Sequence, residues 1–267
     1  MDPTADVAAF RGAIRSGERV VGGWVSIGHP AVAEITAAAG YDFVTIDTEH
    51  AANSIETVEN LVRAVDAAGD AVPIVRPPAA DPVAIKRVLD TGAGGLMVPR
   101  VDSAETANGV VEATRYPPTG VRGAAAGRAS GYGRTFPTYL ERADGALTRI
   151  VQIETAAAVA AAGDIAGVEG IDALFVGPTD LSAALDVHLD FDADEFRAAV
   201  EAVIDAAADE DVPVGVFATE PDRLDGWLAM GFDFAIVGFD AAFLAERNET
   251  MRSAFERAAA ARDGTQR

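Results

Sequence analysis

Short, continuous apolar runs recur along the whole chain and are separated by segments of helical character. Eight such runs follow one another at intervals of roughly 20 to 35 residues. Because both faces of a parallel sheet are covered, each of its strands shows a continuous apolar run and not an alternating one. The pattern therefore predicts eight buried parallel strands, at VVGGWVSI, FVTID, VPIVR, GGLMVP, IVQIE, ALFVG, PVGVF and FAIVGF.

Helical segments are predicted between these strands. Ser54 is a favoured N-cap residue, so a helix is expected to begin there and to run to about residue 68. Strands that alternate with helices over about 250 residues favour a single (β/α)8 TIM barrel, of the α/β class, over a doubly wound sheet. The other seven helices are predicted at 31–39, 82–91, from 103 onward, 156–162, 194–210, 221–230 and 241–261, with a further short one near 137–143 in a long loop.

Composition narrows the class of protein. No linker rich in Pro, Gly or Ser divides the chain, so residues 1–267 are expected to form one domain. No apolar stretch approaches the roughly 20 residues of a membrane span, and the N-terminus lacks the pattern of an export signal, which together predict a cytoplasmic protein. There are no cysteines, which excludes disulfides, thiolate nucleophiles and zinc–sulfur sites.

The net charge is strongly negative. Lys and Arg total 21 against 42 Asp and Glu, giving −21. Such a surface repels nucleic acid and anionic membranes, so neither is expected as a partner. We interpret the charge as adaptation to high salt (a halophilic protein), and the simpler alternative is an ordinary acidic enzyme.

Polar side chains follow several of the apolar runs directly. Asp47 and His50 follow the second run, Arg76 ends the third, Glu154 follows the fifth, and Asp180 follows the sixth. In a parallel barrel the carboxyl ends of all strands point to one face. We therefore expect these groups, which are far apart in the sequence, to meet on one rim and to form an active site.

Two carboxylates on adjacent strands predict a metal site. Glu154 and Asp180 end the fifth and sixth strands, and carboxylate oxygens with open positions for water suit a hard divalent cation such as Mg²⁺ or Mn²⁺. The alternatives are a helix N-cap for Asp180, since DLSAAL begins a helix, and a surface salt bridge for Glu154.

His50 is the candidate general acid and base. Asp47 lies three residues before it and is expected to orient and stabilise an imidazolium. The alternative is a structural hydrogen-bond donor. His29, which precedes Pro30, is expected to line the rim only, and His188 is expected to be exposed in an acidic loop.

Arg76 and the GPTD turn are the candidate anion-binding groups. A planar guanidinium on the rim can bind a carboxylate or an enolate oxygen, although a structural pair with Asp47, Glu49 or Asp90 is equally compatible with the sequence. In the turn, which consists of Gly177, Pro178, Thr179 and Asp180, backbone N–H groups at a helix start can hold an anion.

Lysine usage separates two mechanisms of carbon–carbon bond formation. An aldolase that works through a Schiff base needs a lysine inside the barrel. The only lysine, Lys86, lies in a predicted helix outside the barrel. Stabilisation of an enolate would then require a metal. No GxGxxG, P-loop or GxSxG motif is present, so nucleotide binding and serine hydrolysis have no support.

The chain resembles the class II pyruvate aldolases typified by 4-hydroxy-2-oxoheptanedioate aldolase and 2-dehydro-3-deoxyglucarate aldolase, in the phosphoenolpyruvate/pyruvate-binding barrel superfamily. The resemblance extends from Gly22 to about Leu244. The segments that carry it are IDTEH, VPIVRPP, IKRVLDTGAGGLMVP, RYPPTGVRG, VQIET and VEGIDALFVGPTDLSA.

The resemblance implies a place for the metal and for the 2-oxo acid. The divalent cation (Mg²⁺, Mn²⁺ or Co²⁺) is expected on Glu154 and Asp180. Gln152 is expected beside the bound 2-oxo acid, whose carboxylate would lie on the amides of the turn from Gly177 to Asp180. Thr179 stands where the family usually has alanine, which matters little if only its backbone amide is used. Arg100 stands where an apolar residue is common, which puts the choice of acceptor aldehyde in doubt.

The resemblance also implies roles for the remaining groups. His50 is expected as the acid/base, held by Asp47 and supported by Asp90, with Arg76 on the enolate oxygen. Members of the family are commonly hexamers with active sites at subunit contacts. The apolar face of the last helix is therefore expected to pack either on a neighbouring subunit or on its own barrel.

The expected function is a metal-dependent aldolase. It would add the enolate of pyruvate or hydroxypyruvate to an aldehyde and, in reverse, cleave a 4-hydroxy-2-oxo acid. Two alternatives stay open: a lyase of the same superfamily that acts on CoA thioesters such as malyl- or citramalyl-CoA, and a barrel that binds an oxo acid without catalysis.

Overall fold

The computed structural model describes residues 3–265, with side chains from 6 to 262. Its centre is a closed barrel of eight parallel strands, each paired with the next in sequence, and the last paired with the first. This confirms the predicted (β/α)8 barrel. The strands are β1 (Val21–Val25), β2 (Phe43–Asp47), β3 (Val72–Arg76), β4 (Gly95–Val98), β5 (Thr148–Ile153), β6 (Ala173–Val176), β7 (Val214–Ala218) and β8 (Phe234–Val237).

Twelve α-helices occur in the described range, against the eight expected. The excess comes from an N-terminal helix that was not predicted and from short helices in the loops. The helices are α1 (Pro3–Arg15), α2 (Pro30–Ala38), α3 (Ile55–Ala68), α4 (Pro82–Asp90), α5 (Ala104–Thr114), α6 (Phe136–Ala146), α7 (Ala156–Ala160), α8 (Ala162–Ala166), α9 (Pro178–Ala184), α10 (Asp194–Ala208), α11 (Leu224–Ala229) and α12 (Asp240–Thr265). Two 3₁₀ turns lie at Arg128–Ser130 and Pro221–Arg223.

Side-chain caps fix where several of the outer helices begin. The hydroxyl of Ser54 accepts a hydrogen bond from the N–H of Thr57, as its sequence position predicts. Ser103 caps α5 in the same way, and the carboxylate of Asp81 caps α4. No helix within residues 3–265 is long and apolar enough to cross a membrane.

The apolar core consists of two clusters, one inside the barrel and one between the barrel and the helices. The inner cluster includes Phe10 and Ile14 of α1, so this helix closes the amino end of the barrel. The ring of Phe10 lies 5.4 Å from the ring of Phe43. The buried carboxylate of Asp172 anchors α1 by accepting hydrogen bonds from Arg11 at 2.9 Å and Arg15 at 3.0 Å.

Inward-facing positions change from apolar to polar along β2 and β5. Successive side chains of a strand point to opposite faces, so every second residue points into the barrel. On β2 the inward series runs from Phe43 through Thr45 to Asp47, and on β5 it runs from Ile150 to Gln152. The polar end of each series lies at the carboxyl end of the strand, and this alternation places the functional groups on one rim.

We predict that Gly22→Ala destabilises the barrel. A Cβ atom at Gly22 would lie 2.3 Å from the ring of Phe43, which fills the space inside the barrel. Overpacking of this kind typically costs about 2 kcal/mol. The free energy of unfolding by guanidinium chloride measures the effect.

Gly109→Ala is the matched control. Gly109 lies within α5, and nothing lies within 4 Å of its would-be Cβ. Alanine there should raise helix propensity and stabilise by up to about 1 kcal/mol. Equal effects of the two substitutions would contradict tight packing around Gly22.

Candidate active site

Asp47 and Arg76 form a buried ion pair at the carboxyl ends of β2 and β3. They are register partners in the sheet, and the Nε of Arg76 donates to Oδ1 of Asp47 at 2.8 Å. Both side chains are almost fully buried. The structural pair left open for Arg76 in the sequence is therefore present, and it fixes the arginine on the rim.

Two further groups surround the Arg76 guanidinium. Its Cζ lies 4.5 Å from the centroid of the Trp24 ring on β1, in a cation–π contact. Its Nη1 lies 3.0 Å from Oε2 of Glu49. Neither Trp24 nor Glu49 was singled out as functional from the sequence. The sequence signal for Glu49 is its position two residues after Asp47 in IDTEH. The contact of Trp24 with Arg76 depends on closure of the barrel, which no local sequence pattern reports.

His50 lies at the rim with 67% of its side chain exposed. The expectation that Asp47 holds the imidazole differs from the contacts. Oδ1 of Asp47 accepts from the backbone N–H of Glu49 at 2.9 Å and of His50 at 3.5 Å, so it holds the turn and not the ring. The carboxylate near the ring is Glu49, whose Oε2 lies 3.9 Å from Nε2 of His50.

Asp90 does not join this group within one chain. It is the last residue of α4, which begins after β3 at the carboxyl rim and runs back to the amino end of β4. Its carboxylate contacts Nη2 of the buried Arg122 at 3.2 Å. No contact between Asp90 and His50 is present among the described residues of one chain, so the expected support of His50 by Asp90 stays a prediction.

Glu154 is held at the end of β5 by the backbone. Only 4% of the residue is exposed, and its Oε1 accepts from the N–H of Arg100 at 2.8 Å. Arg100 has a φ of 52°, in the left-handed region that non-glycine residues rarely adopt. The sequence marked Arg100 for its side chain, whereas the contact with Glu154 comes from its backbone, which no composition pattern reports.

The charges near Glu154 raise its pKa. Burial, together with the carboxylates of Asp180 and Glu49, raises the pKa of Glu154 to about 7, against the opposing effects of the Arg100 N–H and of Arg76. Asp180 is the third residue of α9, and the N-cap of that helix is Gly177. The N-cap alternative for Asp180 is therefore not what the structure has, and its exposed carboxylate is free to interact with Glu154.

Gln152 and Gly177 lie beside Glu154. A Cβ atom at Gly177 would lie 3.0 Å from Oε2 of Glu154 and 3.7 Å from Nε2 of Gln152, so the turn passes close to both side chains. The Oε1 of Gln152 is buried and has no hydrogen-bond partner among the described residues. A buried acceptor without a donor is costly, which favours a bound group in this place.

The donor set fits a divalent cation. No group of three or more His, Cys, Asp or Glu that could hold a metal occurs among the described residues. Two carboxylates are enough for Mg²⁺ or Mn²⁺, because these ions keep several waters or substrate oxygens as ligands. The mutual repulsion of Glu154 and Asp180 is the strain that such a cation would relieve.

The other singled-out residues lie elsewhere. Lys86 is in α4, outside the barrel, as predicted. His29 caps α2 through Nδ1, which accepts from the N–H of Ala31, and His188 is exposed. A cavity of about 720 Å³ lies at the amino end of the barrel, near α1 and the start of β3. It is at the opposite end from the strand-end carboxylates.

Comparison with known proteins identifies the family. The family model described as HpcH/HpaI aldolase/citrate lyase matches residues 21–246. The chain belongs to this family. A relative from Salmonella dublin, named 4-hydroxy-2-oxo-heptane-1,7-dioate aldolase, is 38% identical over 250 residues, which cover 92% of this chain and 94% of the relative. The resemblance drawn from the motifs is thereby confirmed.

Solved structures of HpcH/HpaI relatives share the fold closely. A family protein from Burkholderia cenocepacia J2315 superposes with a TM-score of 0.88 at 34% identity, over 94% of this chain and 99% of that one. The citrate synthase SbnG gives a TM-score of 0.83 at 31% identity, over 93% and 98% of the two chains.

The raised pKa of Glu154 predicts a pH dependence of stability in the metal-free protein. In the folded state its pKa is about 7, whereas an unfolded chain titrates near 4.3. The folded state thus binds the proton more tightly, and the free energy of unfolding should fall as the pH rises from about 4.5 to 7, by up to roughly 3 kcal/mol. Above that range the effect is constant.

Glu154→Gln cannot titrate and provides the comparison. The difference in unfolding free energy between wild type and this variant, measured in EDTA from about pH 5 to 8, should change in favour of the variant as the pH rises. Mn²⁺ should stabilise the wild type more above pH 7 than below it, because the metal requires the carboxylate. A difference that is constant with pH would contradict the raised pKa.

Proposed function

We propose that this chain is a divalent-metal-dependent aldolase. It would add the enolate of pyruvate or hydroxypyruvate to an aldehyde, and cleave a 4-hydroxy-2-oxo acid in the reverse direction. The observation that carries the proposal is one rim on which a buried arginine, Arg76, lies within electrostatic reach of the paired acids Glu154 and Asp180. The relatives named as aldolases support the same reaction class.

Glu154 and Asp180 would hold the metal, which we take to be Mg²⁺, Mn²⁺ or Co²⁺. When bound, such a cation supplies a Lewis acid that polarises the keto group of the 2-oxo acid. Gln152 is next to this position and would bind the 2-oxo acid. The backbone N–H groups of Thr179 and Asp180 at the start of α9 would bind its carboxylate, whereas Pro178 has no N–H to offer.

Arg76 would stabilise the enolate oxygen. Its planar guanidinium is already held by Asp47 and Trp24, so little side-chain entropy is lost when the enolate forms. A group that binds the developing negative charge more strongly than the neutral substrate lowers the barrier of the chemical step.

His50 would move the proton. Its exposed imidazole is available to a substrate at the rim. In cleavage His50 would take the proton of the 4-hydroxyl, and the enolate would regain a proton at C3 from His50 or water. In condensation His50 or water would take the C3 proton of pyruvate, and His50 would protonate the new 4-oxygen. Asp47 would act by fixing the turn that carries His50. A role for Asp90 at His50 would require the Asp90 of another subunit.

The decisive experiment follows the methyl protons of pyruvate in D₂O by NMR. Mn²⁺-loaded protein should exchange these protons for deuterium and cleave 4-hydroxy-2-oxo acids, whereas EDTA-treated protein should lose at least about 100-fold in rate, or about 2.7 kcal/mol. Arg76→Lys should lose a similar factor, because an ammonium cannot reproduce the planar fork. His50→Ala should reduce kcat by more than about tenfold.

Glu154→Gln and Glu201→Gln form a matched pair for the metal. Both remove one carboxylate, but Glu201 is exposed on α10, away from the rim. Only the first should abolish exchange. Full activity after removal of the metal would refute the metal role, and binding of pyruvate without exchange would favour a barrel that senses an oxo acid.

A second candidate acts on CoA thioesters. It is favoured by the 31% identity to a structure named as a citrate synthase. The net charge of −21 and the single lysine argue against a strong site for the CoA phosphates. Calorimetric titration with CoA and acetyl-CoA separates the two functions, since the aldolase should bind neither.

We also propose a homo-oligomer, with a hexamer as the expected state, that works at high salt in the cytoplasm. Helix α12 is tied to the barrel at its start, where Asp240 accepts from the N–H of Ile27 at 2.7 Å. Farther along, exposed apolar residues recur on one face of the helix, at Leu244, Met251 and Phe255. The acidic surface supports the high-salt environment, where charge repulsion is screened.

Substitution of Met251 and Phe255 by Glu should dissociate the oligomer. Charges on this face cannot be buried against a second subunit without a large desolvation cost. The mass measured by sedimentation in molar KCl should fall from a multiple of 27.5 kDa to that of a single chain. Glu249→Ala, on the opposite face of α12, is the control. A wild-type protein that sediments as one chain would contradict the proposal.

A further inference from the structure

Glu49 occupies a place in the site that the proposed mechanism does not use. It lies two residues after the end of β2, with only 14% of its side chain exposed. Its Oε2 contacts Nη1 of Arg76 at 3.0 Å and lies 3.9 Å from Nε2 of His50. One carboxylate oxygen therefore lies between the two groups proposed to bind the enolate and to move the proton.

The fold does not need this carboxylate to neutralise Arg76. Asp47 already balances the guanidinium charge through Nε at 2.8 Å and holds the turn through the N–H of Glu49. Glu49 is also in an unfavourable electrostatic position. Burial raises its pKa, and Asp47 and Asp180 add to that effect against the opposing charges of Arg76 and His50. Because the fold keeps Glu49 close to other acidic side chains, we infer that it has a role beyond balancing the charge of Arg76.

The contacts of Arg76 indicate what that role is. Trp24 covers one face of the guanidinium, Asp47 takes the Nε edge, and Glu49 takes Nη1. No hydrogen bond of Nη2 is present within the described part of the chain. With Asp47 alone, the guanidinium would be held at one nitrogen. The second contact fixes its rotation and leaves the Nη2 edge for a ligand.

We propose that Glu49 is a positioning residue that fixes the rotation of the Arg76 guanidinium and holds the His50 ring beside it. The inference rests on the proposed function, in which Arg76 binds the enolate oxygen. Its consequence is that the binding of a planar, enolate-like anion depends on a neighbouring negative charge.

The sign of this dependence distinguishes positioning from simple electrostatics. Removal of a carboxylate near a bound anion by itself strengthens anion binding, because like charges repel. If Glu49 positions Arg76, its removal weakens binding instead, since the guanidinium no longer presents its free edge. A residue with only a structural role would give neither loss nor rescue by a conservative variant.

Oxalate is the probe, because it is a planar dianion that resembles the enolate of pyruvate. Titration calorimetry with Mn²⁺-loaded protein should show the Kd of oxalate rising at least about tenfold in Glu49→Ala, or about 1.4 kcal/mol. Glu49→Gln retains a neutral acceptor for Nη1, so the Kd of oxalate should rise only about threefold in this variant. Glu201→Ala, which removes an exposed carboxylate of α10, should leave the Kd unchanged.

Crystal structures of the metal-free variants give a readout that does not depend on activity. The guanidinium of Arg76 should leave the face of Trp24, or occupy several rotations, in Glu49→Ala and not in the wild type. If the alanine variant fails to fold, Glu49→Gln decides by the sign of the change in oxalate affinity.

Two results overturn the inference: unchanged or tighter oxalate binding in Glu49→Ala or Glu49→Gln, or an unmoved guanidinium in the alanine variant. Failure of the proposed function looks different. Wild-type protein would then bind no oxalate in the presence of Mn²⁺. The position of Arg76 in the metal-free crystals would still show whether Glu49 fixes the guanidinium.

Discussion

Asp47 and Arg76 meet as register partners at the carboxyl ends of β2 and β3, and the rest of the rim is arranged around this ion pair. Both side chains are buried, so neither charge is stable there without the other. The pair lays the guanidinium on Trp24, and the same carboxylate holds the turn that carries His50. Loss of either partner would therefore disturb both the anion-binding group and the proton-transfer group.

The other side of the rim carries an excess of negative charge. Burial of Glu154 at the end of β5, together with the carboxylates of Asp180 and Glu49, raises its pKa to about 7. The fold keeps these carboxylates close together and holds Glu154 through the N–H of Arg100. It also leaves Oε1 of Gln152 without a hydrogen-bond partner among the residues that the structure describes. Arg76 relieves only part of the charge. A divalent cation and a 2-oxo acid are the groups that would satisfy the remaining charge and the Gln152 acceptor, which links the electrostatics of the rim to the proposed reaction.

Much of this arrangement was predictable from single strands. Continuous apolar runs identify parallel strands, and alternation within each run predicts that Asp47, Arg76 and Gln152 point inward at the same end. The helix α1 was not predicted, although Val7, Phe10 and Ile14 have helical spacing, because it precedes the first strand and lies outside the alternation of strands and helices. The sequence named Glu49 only as one of three possible partners of Arg76, because a side chain in a loop can point either way until its neighbours are known.

The sequence by itself determined the barrel, its strand order and the identity of the groups on one rim, because these follow from periodicity and from the shared direction of parallel strands. Only the tertiary structure decided which groups touch. It put Glu49 and not Asp47 beside the His50 ring, turned the backbone of Arg100 toward Glu154, and placed Asp90 against Arg122. These contacts join residues through barrel closure and loop conformation, and local sequence patterns carry no information about either.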